Sequence, residues 1–331
     1  MDLIIKPTEA CNFKCTFCSS TNLTDDKKKR LDLDKVSAFL DRYPGTQTII
    51  VNGGDPLMVH PNYYFTIIDE IEKRNLKTNL SFTTNLWGFY KNPDLWTPLF
   101  QHERVGVGTS FNYGTTRRIT ESQVYTEDIF WKVSDLFLDK IGYRPPFISV
   151  ITDENLDSAI DNVLLAKKMG VECKLNYALA SGDQKSSLLK GKIYNIYLDI
   201  IDQGLSDWEY NSKQLLRLKD SKVTSCPLNR ECDEGIRCLQ PDGDYYSCGA
   251  FGDDKAYPID FHNEVVLGNK ELPLKYSFEL MFLKEECSTC PLFNICNGCK
   301  KTISDIKRND HVEAHCLEMQ KNMTRLLPYV N

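Results

Sequence analysis

No apolar run in this 331-residue sequence approaches membrane-spanning length, and its start lacks a basic region followed by a hydrophobic stretch and a cleavage site. A transmembrane anchor and a secretory signal are both excluded on this pattern, and the expected location is the cytoplasm. A net positive charge is also lacking. The net charge is −6, and the one basic run, Lys27-Lys28-Lys29-Arg30, follows Asp25-Asp26 in what reads as a solvated loop. Neither nucleic acid nor a membrane is an expected partner. Internal repeats and low-complexity tracts are absent as well. What remains is an ordinary soluble balance, 41% hydrophobic and 26% charged, in a chain long enough for two domains with a large core.

Cysteine, by contrast, is abundant. Thirteen cysteines in a reducing compartment are poorly explained by disulfides, and their clustering in CxxC-like spacings points to metal. The first three stand in the run Cys11-Asn12-Phe13-Lys14-Cys15-Thr16-Phe17-Cys18. Three thiolates hold a four-iron cluster while leaving one iron without a protein ligand, and an open metal position is where chemistry happens. The plainer alternatives are a zinc site with an absent fourth ligand, or three unrelated buried thiols.

Short β-rich runs alternate with helical stretches along the first 200 residues. Residues 3–6, 48–52, 77–82, 104–109, 147–151 and 171–175 read as strands, and 33–42, 63–74, 127–139 and 155–169 as helices. A shorter helix is expected within 87–100 after Pro93, and another helical stretch near 188–203. Strict alternation implies parallel strands joined by right-handed crossovers, and six such units make an α/β fold of partial-barrel type. The cysteine loop follows the first strand, at the carboxyl ends where parallel α/β folds place their sites. Residues 205–225 have mixed polarity and read as a connector, after which nine further cysteines fall between Cys226 and Cys316. The organisation expected is therefore a core over 1–205, a connector over 206–225 and a second domain over 226–331. Cys173 lies within a strand and reads as a small core residue.

The C-x3-C-x2-C spacing with Phe17 before the last cysteine resembles the signature of radical S-adenosylmethionine (SAM) enzymes. The resemblance extends to Asn52-Gly53-Gly54-Asp55-Pro56 at the end of the second strand. Read as a bare sequence this is a turn, whose glycines let a ligand approach the backbone and whose proline stops the strand. In this position it is similar to the GGEP motif that receives the SAM amino group, with Asp55 where the family has Glu. Ser110 and Asn112, in Gly108-Thr109-Ser110-Phe111-Asn112-Tyr113-Gly114, match the family's Ser-Leu-Asp-Gly segment beside the SAM ribose, Asn112 replacing Asp. The resemblance also implies a downstream arginine for the SAM carboxylate, Arg117 or Arg118, of which Arg118 is taken as the candidate. Thr84 and Asn85 are similar to a family Thr-Asn pair, and Val150-Ile151-Thr152-Asp153-Glu154-Asn155-Leu156 to the fifth strand and helix.

The C-terminal run Cys287-x2-Cys290-x5-Cys296-x2-Cys299, followed by Cys316, reads by itself as a zinc ribbon or knuckle. With Cys232, Cys238 and Cys248, the last reached through Gly243, the set resembles the SPASM domain that holds two auxiliary 4Fe-4S clusters in radical SAM enzymes. The resemblance implies Cys232, Cys238, Cys248 and Cys299 as ligands of the first, and Cys287, Cys290, Cys296 and Cys316 of the second. Two departures stand out. Two residues separate Cys296 from Cys299 where three is more usual, and Cys226-x5-Cys232-x5-Cys238 offers two registers, so that Cys226 is the alternative ligand. His311 and His315 beside Cys316 sit at i and i+4 of an expected helix, a spacing that can bind metal, and are read as solvated or structural.

What the resemblance implies is concrete: three 4Fe-4S clusters, SAM cleaved to methionine and a 5'-deoxyadenosyl radical, and oxidative modification of a peptide substrate in the manner of ribosomal-peptide maturation, by crosslinking or side-chain oxidation. A flavodoxin- or ferredoxin-type reductant would supply the electron. With ten residues before Cys11, a leader-binding domain is not expected at this end, so a separate leader-binding protein or the barrel mouth would recognise a precursor. Sulfatase maturation fits the cluster pattern, but those enzymes carry an aspartate directly after the cysteine equivalent to Cys248, where this chain has Gly249. Asp242, Asp244, Tyr245 and Tyr246 are the nearby candidates for proton removal. The alternatives are a radical SAM dehydrogenase of a sugar or amino acid derivative, a zinc-binding module, and an iron–sulfur electron carrier.

Overall fold

The computed structural model describes residues 1–21, 23–220, Cys226, Leu228, 232–268 and 282–330. Six parallel strands, β1 (Asp2–Ile5), β2 (Thr48–Val51), β3 (Asn79–Thr83), β4 (Val105–Ser110), β5 (Phe147–Ile151) and β6 (Cys173–Tyr177), lie side by side in chain order. Helices α1 (Leu33–Arg42), α2 (Asn62–Lys73), α3 (Trp87–Lys91), α4 (Pro93–Phe100), α5 (Glu127–Ile141) and α6 (Ala159–Met169) supply the crossovers. The expected α/β partial barrel is present, each strand within two residues of its expected span. Residues 87–100 form two helices rather than one, because Pro93 opens α4 at a position where a missing N–H costs nothing.

Strand alternation divides the sheet into two faces. Leu3, Ile5, Ile49, Val51, Leu80 and Phe82 are buried in one core with Phe39, Tyr64, Ile68, Phe130 and Phe137 of the helices. Thr83, Ser110, Ile148, Val150, Lys174 and Asn176 are half-buried and face a cavity inside the barrel. A closed eight-stranded barrel fills its interior with side chains, whereas this open one keeps a hollow interior lined by polar and apolar residues together.

The sheet continues beyond the six strands. β7 (Ile236–Leu239) pairs parallel with β1, and β8 (Tyr245–Tyr246) turns back antiparallel on β7. Before it come α7 (Lys190–Asp202) and α8 (Tyr210–Arg217); after it come α9 (Gly249–Asp253), α10 (Phe293–Cys296), α11 (Lys300–Arg308), α12 (Val312–Lys321) and α13 (Met323–Leu326). The expected connector thus contains a helix, α8, tied to β6 by the buried Glu209, whose carboxylate accepts from Leu175 N at 2.9 Å and Asn211 N at 3.0 Å. Among the described residues no helix is long and apolar enough to cross a membrane.

Candidate active site

A cavity of about 410 Å³ opens at the carboxyl ends of the strands. Cys11, Cys15 and Cys18 line it together with Phe17, Gly53, Gly54, Asp55, Thr84, Asn85, Ser110 and Arg117. The cysteine loop is held there by its backbone: Lys14 N donates to Arg118 O at 2.8 Å and Thr16 N to Thr116 O at 2.9 Å. Glu9, buried at the loop's base, accepts from Leu23 N at 3.0 Å and Thr24 N at 2.8 Å. Burial pushes the Cys18 thiol up to about 11 and raises Cys11 further. Thiols so placed become anionic when a bound metal supplies the positive charge that burial denies them.

The two glycines are accounted for by this loop. A Cβ on Gly54 would lie 2.1 Å from Glu9 O and 2.4 Å from Ala10 O, and one on Gly53, at φ +130°, 2.8 Å from Thr8 O. Gly54 N and Asp55 N donate to Thr8 O and Ala10 O, each at 2.9 Å. The glycines therefore let the β2 loop approach the cysteine loop, backbone against backbone, which is a different use from the ligand approach expected of them.

Asp55 is buried and its carboxylate gathers Leu57 N at 2.9 Å, Asn85 N at 2.8 Å and the Thr84 hydroxyl at 3.0 Å. Burial pushes its pKa up to about 6 against the pull of these donors. Pro56 is the first residue of a 3-10 turn and does not line the cavity. Asn85 Nδ2 reaches Asn12 Oδ1 at 2.7 Å, so the Thr84-Asn85 pair joins the site more firmly than its sequence signal suggested.

The structure brings Arg117, not Arg118, to the cavity. Arg117 is buried, donates through Nη1 to Ser110 Oγ at 2.9 Å and through Nε to Asn112 Oδ1 at 3.0 Å, and lies over the Phe17 ring at 5.0 Å. Arg118 instead donates to the Thr115 and Glu121 carbonyls. Asn112 lies behind Arg117 rather than on the cavity wall.

Sequence reasoning missed a buried ion pair beside the cysteine loop. Lys6, one residue past β1, pairs with Asp253 at the end of α9, and Ser19 Oγ donates to Asp253 at 2.7 Å. Both line the cavity, and they are 247 residues apart, so only the fold joins them. Asp242, Asp244, Tyr245 and Tyr246 do not line it; Tyr245 donates to Glu264 at 2.8 Å.

The C-terminal cysteines form two groups. Cys287, Cys290, Cys296 and Cys316 line a second cavity of about 300 Å³ with Leu283, Leu292, Phe293, Ile303 and Met319. Burial pushes Cys296 up to about 12. In the other group Cys226, exposed where it opens onto the first cavity, hydrogen-bonds to Cys299, which also accepts from Thr302; Cys232 lies near Cys226, and Cys248 near both Cys299 and Cys238. Cys238 is fully buried within β7, where its sulfur accepts from Gln240 at 3.7 Å. Cys173 is buried in the core as expected.

No protein-family model matches the chain. Two cysteine-type anaerobic sulfatase-maturating enzymes, from two strains of Clostridium perfringens, are each 22% identical to it over 95% of this chain and 92% of the relative. In three dimensions the chain is similar to hexahistidine-tagged anSMEcpe with bound AdoMet, with a TM-score of 0.70 at 18% identity over 100% of this chain and 99% of that one. Native anSMEcpe with AdoMet and the Kp18Cys peptide gives the same score, identity and coverage. Streptococcus suis SuiB bound to the precursor peptide SuiA scores 0.51 at 14% identity, over 90% of this chain and 71% of that one. The fold read from the cysteine motif and the strand–helix alternation is borne out. The expected enzyme class, with SAM as cofactor, agrees with the AdoMet-bound structures and the sulfatase-maturating relatives.

Proposed function

We propose that this chain is a radical SAM enzyme that oxidatively modifies a peptide side chain held in the barrel cavity. The observation that carries the reading is the gathering of Cys11, Cys15 and Cys18 on one wall of that cavity, beside Asp55, Ser110 and Arg117. A sulfur-only donor set in a roomy site fits an iron–sulfur cluster, and the three cysteines would hold it. When bound, the cluster and SAM supply an electron and a 5'-deoxyadenosyl radical that abstracts hydrogen from a C–H bond.

The chain's own residues supply position and charge. Asp55 and the neighbouring backbone of 53–54 would receive the SAM amino group, Arg117 its carboxylate, and Ser110 the ribose edge. Phe17 would cover the cofactor from the cysteine loop. Asp253 is the proton acceptor in this reading: Gly249 stands where sulfatase maturases carry their aspartate, and Asp253 projects into the same cavity one turn further along α9. The two C-terminal cysteine groups would hold auxiliary clusters that take up the substrate's second electron. In the first group the contact between Cys226 and Cys299 favours Cys226, with Cys232, Cys248 and Cys299, over the β-strand residue Cys238. A flavodoxin- or ferredoxin-type protein is the proposed reductant, and leader recognition by a separate protein stays part of the proposal.

The peptide part rests on the peptide-bound relatives. It is tested by following deuterium from peptides labelled at the Cβ of cysteine or serine into 5'-deoxyadenosine. Transfer from a peptide supports it, and transfer from small-molecule alcohols alone rejects it.

A further inference from the structure

Beside the second cysteine cavity, in contact with one of its cysteines, stands a buried histidine that none of these roles uses. This inference rests on the reading that Cys287, Cys290, Cys296 and Cys316 hold an auxiliary 4Fe-4S cluster. His315, on α12 beside Cys316, is fully buried. Its Nε2 lies 3.1 Å from Cys296 Sγ, and among the described residues its Nδ1 has no partner.

The geometry around this contact is tightly fixed. Helix α12 is clamped on α7: a Cβ at Gly191 would lie 2.6 Å from the Glu318 backbone, and Asn322 Nδ2 donates to Gly191 O at 3.0 Å. From the other side Lys190, also fully buried, donates its Nζ to Ile295 O at 2.8 Å and Cys296 O at 3.0 Å. The ligand's backbone and the imidazole are thus held on one rigid frame. A metal-bound thiolate has no proton to give and can only accept, so the ring nitrogen facing it must be the one that carries N–H. Nδ1 is then left without a partner, at a desolvation cost that a packing role alone would not require.

We propose that His315 donates its Nε2–H to the Cys296 sulfur and thereby raises the reduction potential of the auxiliary cluster held by Cys287, Cys290, Cys296 and Cys316. An electron arriving on such a cluster adds negative charge to its sulfurs, which a fixed donor stabilises. Of the three clusters this one is then tuned to accept electrons, and His315 is its positioning and tuning residue.

The test is an EPR-monitored redox titration of the anaerobically reconstituted full-length protein, comparing wild type with His315→Leu and His315→Gln. In His315→Leu one midpoint of the three should fall so that reduction at a fixed potential is about tenfold less favourable, about 59 mV for a one-electron couple. His315→Gln keeps a side-chain N–H and should recover most of that loss. Unchanged midpoints in His315→Leu, or equal shifts in both variants, overturn the inference. Should His315→Leu not take up the cluster, pulsed EPR of wild type labelled with 15N-histidine decides. A weak nitrogen coupling to a reduced cluster supports the hydrogen bond, and no coupling, or that of a direct ligand, overturns it. Failure of the underlying cluster reading is seen separately, as an iron content that Cys287→Ala leaves unchanged.

Discussion

Asp55 and Asp253 are two buried carboxylates on one cavity whose surroundings set them apart. Asp55 is held by hydrogen-bond donors without a cation, and burial lifts its pKa from 3.8 to about 6. The native state therefore binds this proton more tightly than the unfolded chain does. Stability from this group is greatest below about pH 4 and is lost as pH rises to about 6, by up to about 3 kcal/mol. Chemical denaturation of wild type and Asp55→Asn across that window should show the difference between them falling as pH rises; a flat difference would refute the assignment. Asp253 instead has Lys6 as its partner. In Asp253→Asn, SAM cleavage should persist while product formation is lost, read by chromatography of 5'-deoxyadenosine and mass spectrometry of the peptide. At this scale the sequence made the cysteines legible because their spacing is local. It left Arg117 and Arg118 indistinguishable, since neighbours in a loop differ only in which way the fold turns them. Lys6–Asp253 was out of reach because nothing local marks a contact across 247 residues.

Between elements, the join of the β2 loop to the cysteine loop is made by backbone alone, which is why two glycines stand there. Gly54→Ala would drive a Cβ to 2.1 Å from the Glu9 carbonyl, with only backbone to give way. The expected cost is about 3 kcal/mol, together with a lower iron occupancy of the first cluster. A calorimetric scan and an iron assay of the variant check both, and a protein as stable and iron-rich as wild type would contradict this packing role. The strands were legible from alternation and the helices from their apolar faces. Helix α8 was not, because the residues that bury it are polar: Glu209, Asn211 and Ser212 are fully buried and bonded among themselves and to β6. A buried polar network has the composition of a loop. The β7–β8 hairpin was missed for a related reason, its strands being short and crowded among cysteines.

Among the described residues β7 and β8 extend the sheet of the first six strands, so the cysteine-rich part of the chain joins the core strand to strand rather than only through the connector. Cluster number is the property that most separates this account from a zinc module. Full reconstitution should give about twelve irons per chain and a brown protein. Cys287→Ala should lower that to about eight, and Cys226→Ala should lower it where Cys238→Ala does not, as read by iron assay and Mössbauer spectroscopy. A colourless protein that binds zinc alone would contradict the account. The most direct measurement remains the cleavage itself. Wild-type protein reconstituted anaerobically and reduced with dithionite should convert SAM to 5'-deoxyadenosine, and Cys15→Ala should not. A wild type that holds its iron yet yields no 5'-deoxyadenosine, or a Cys15→Ala variant that yields as much as wild type, would contradict the central claim.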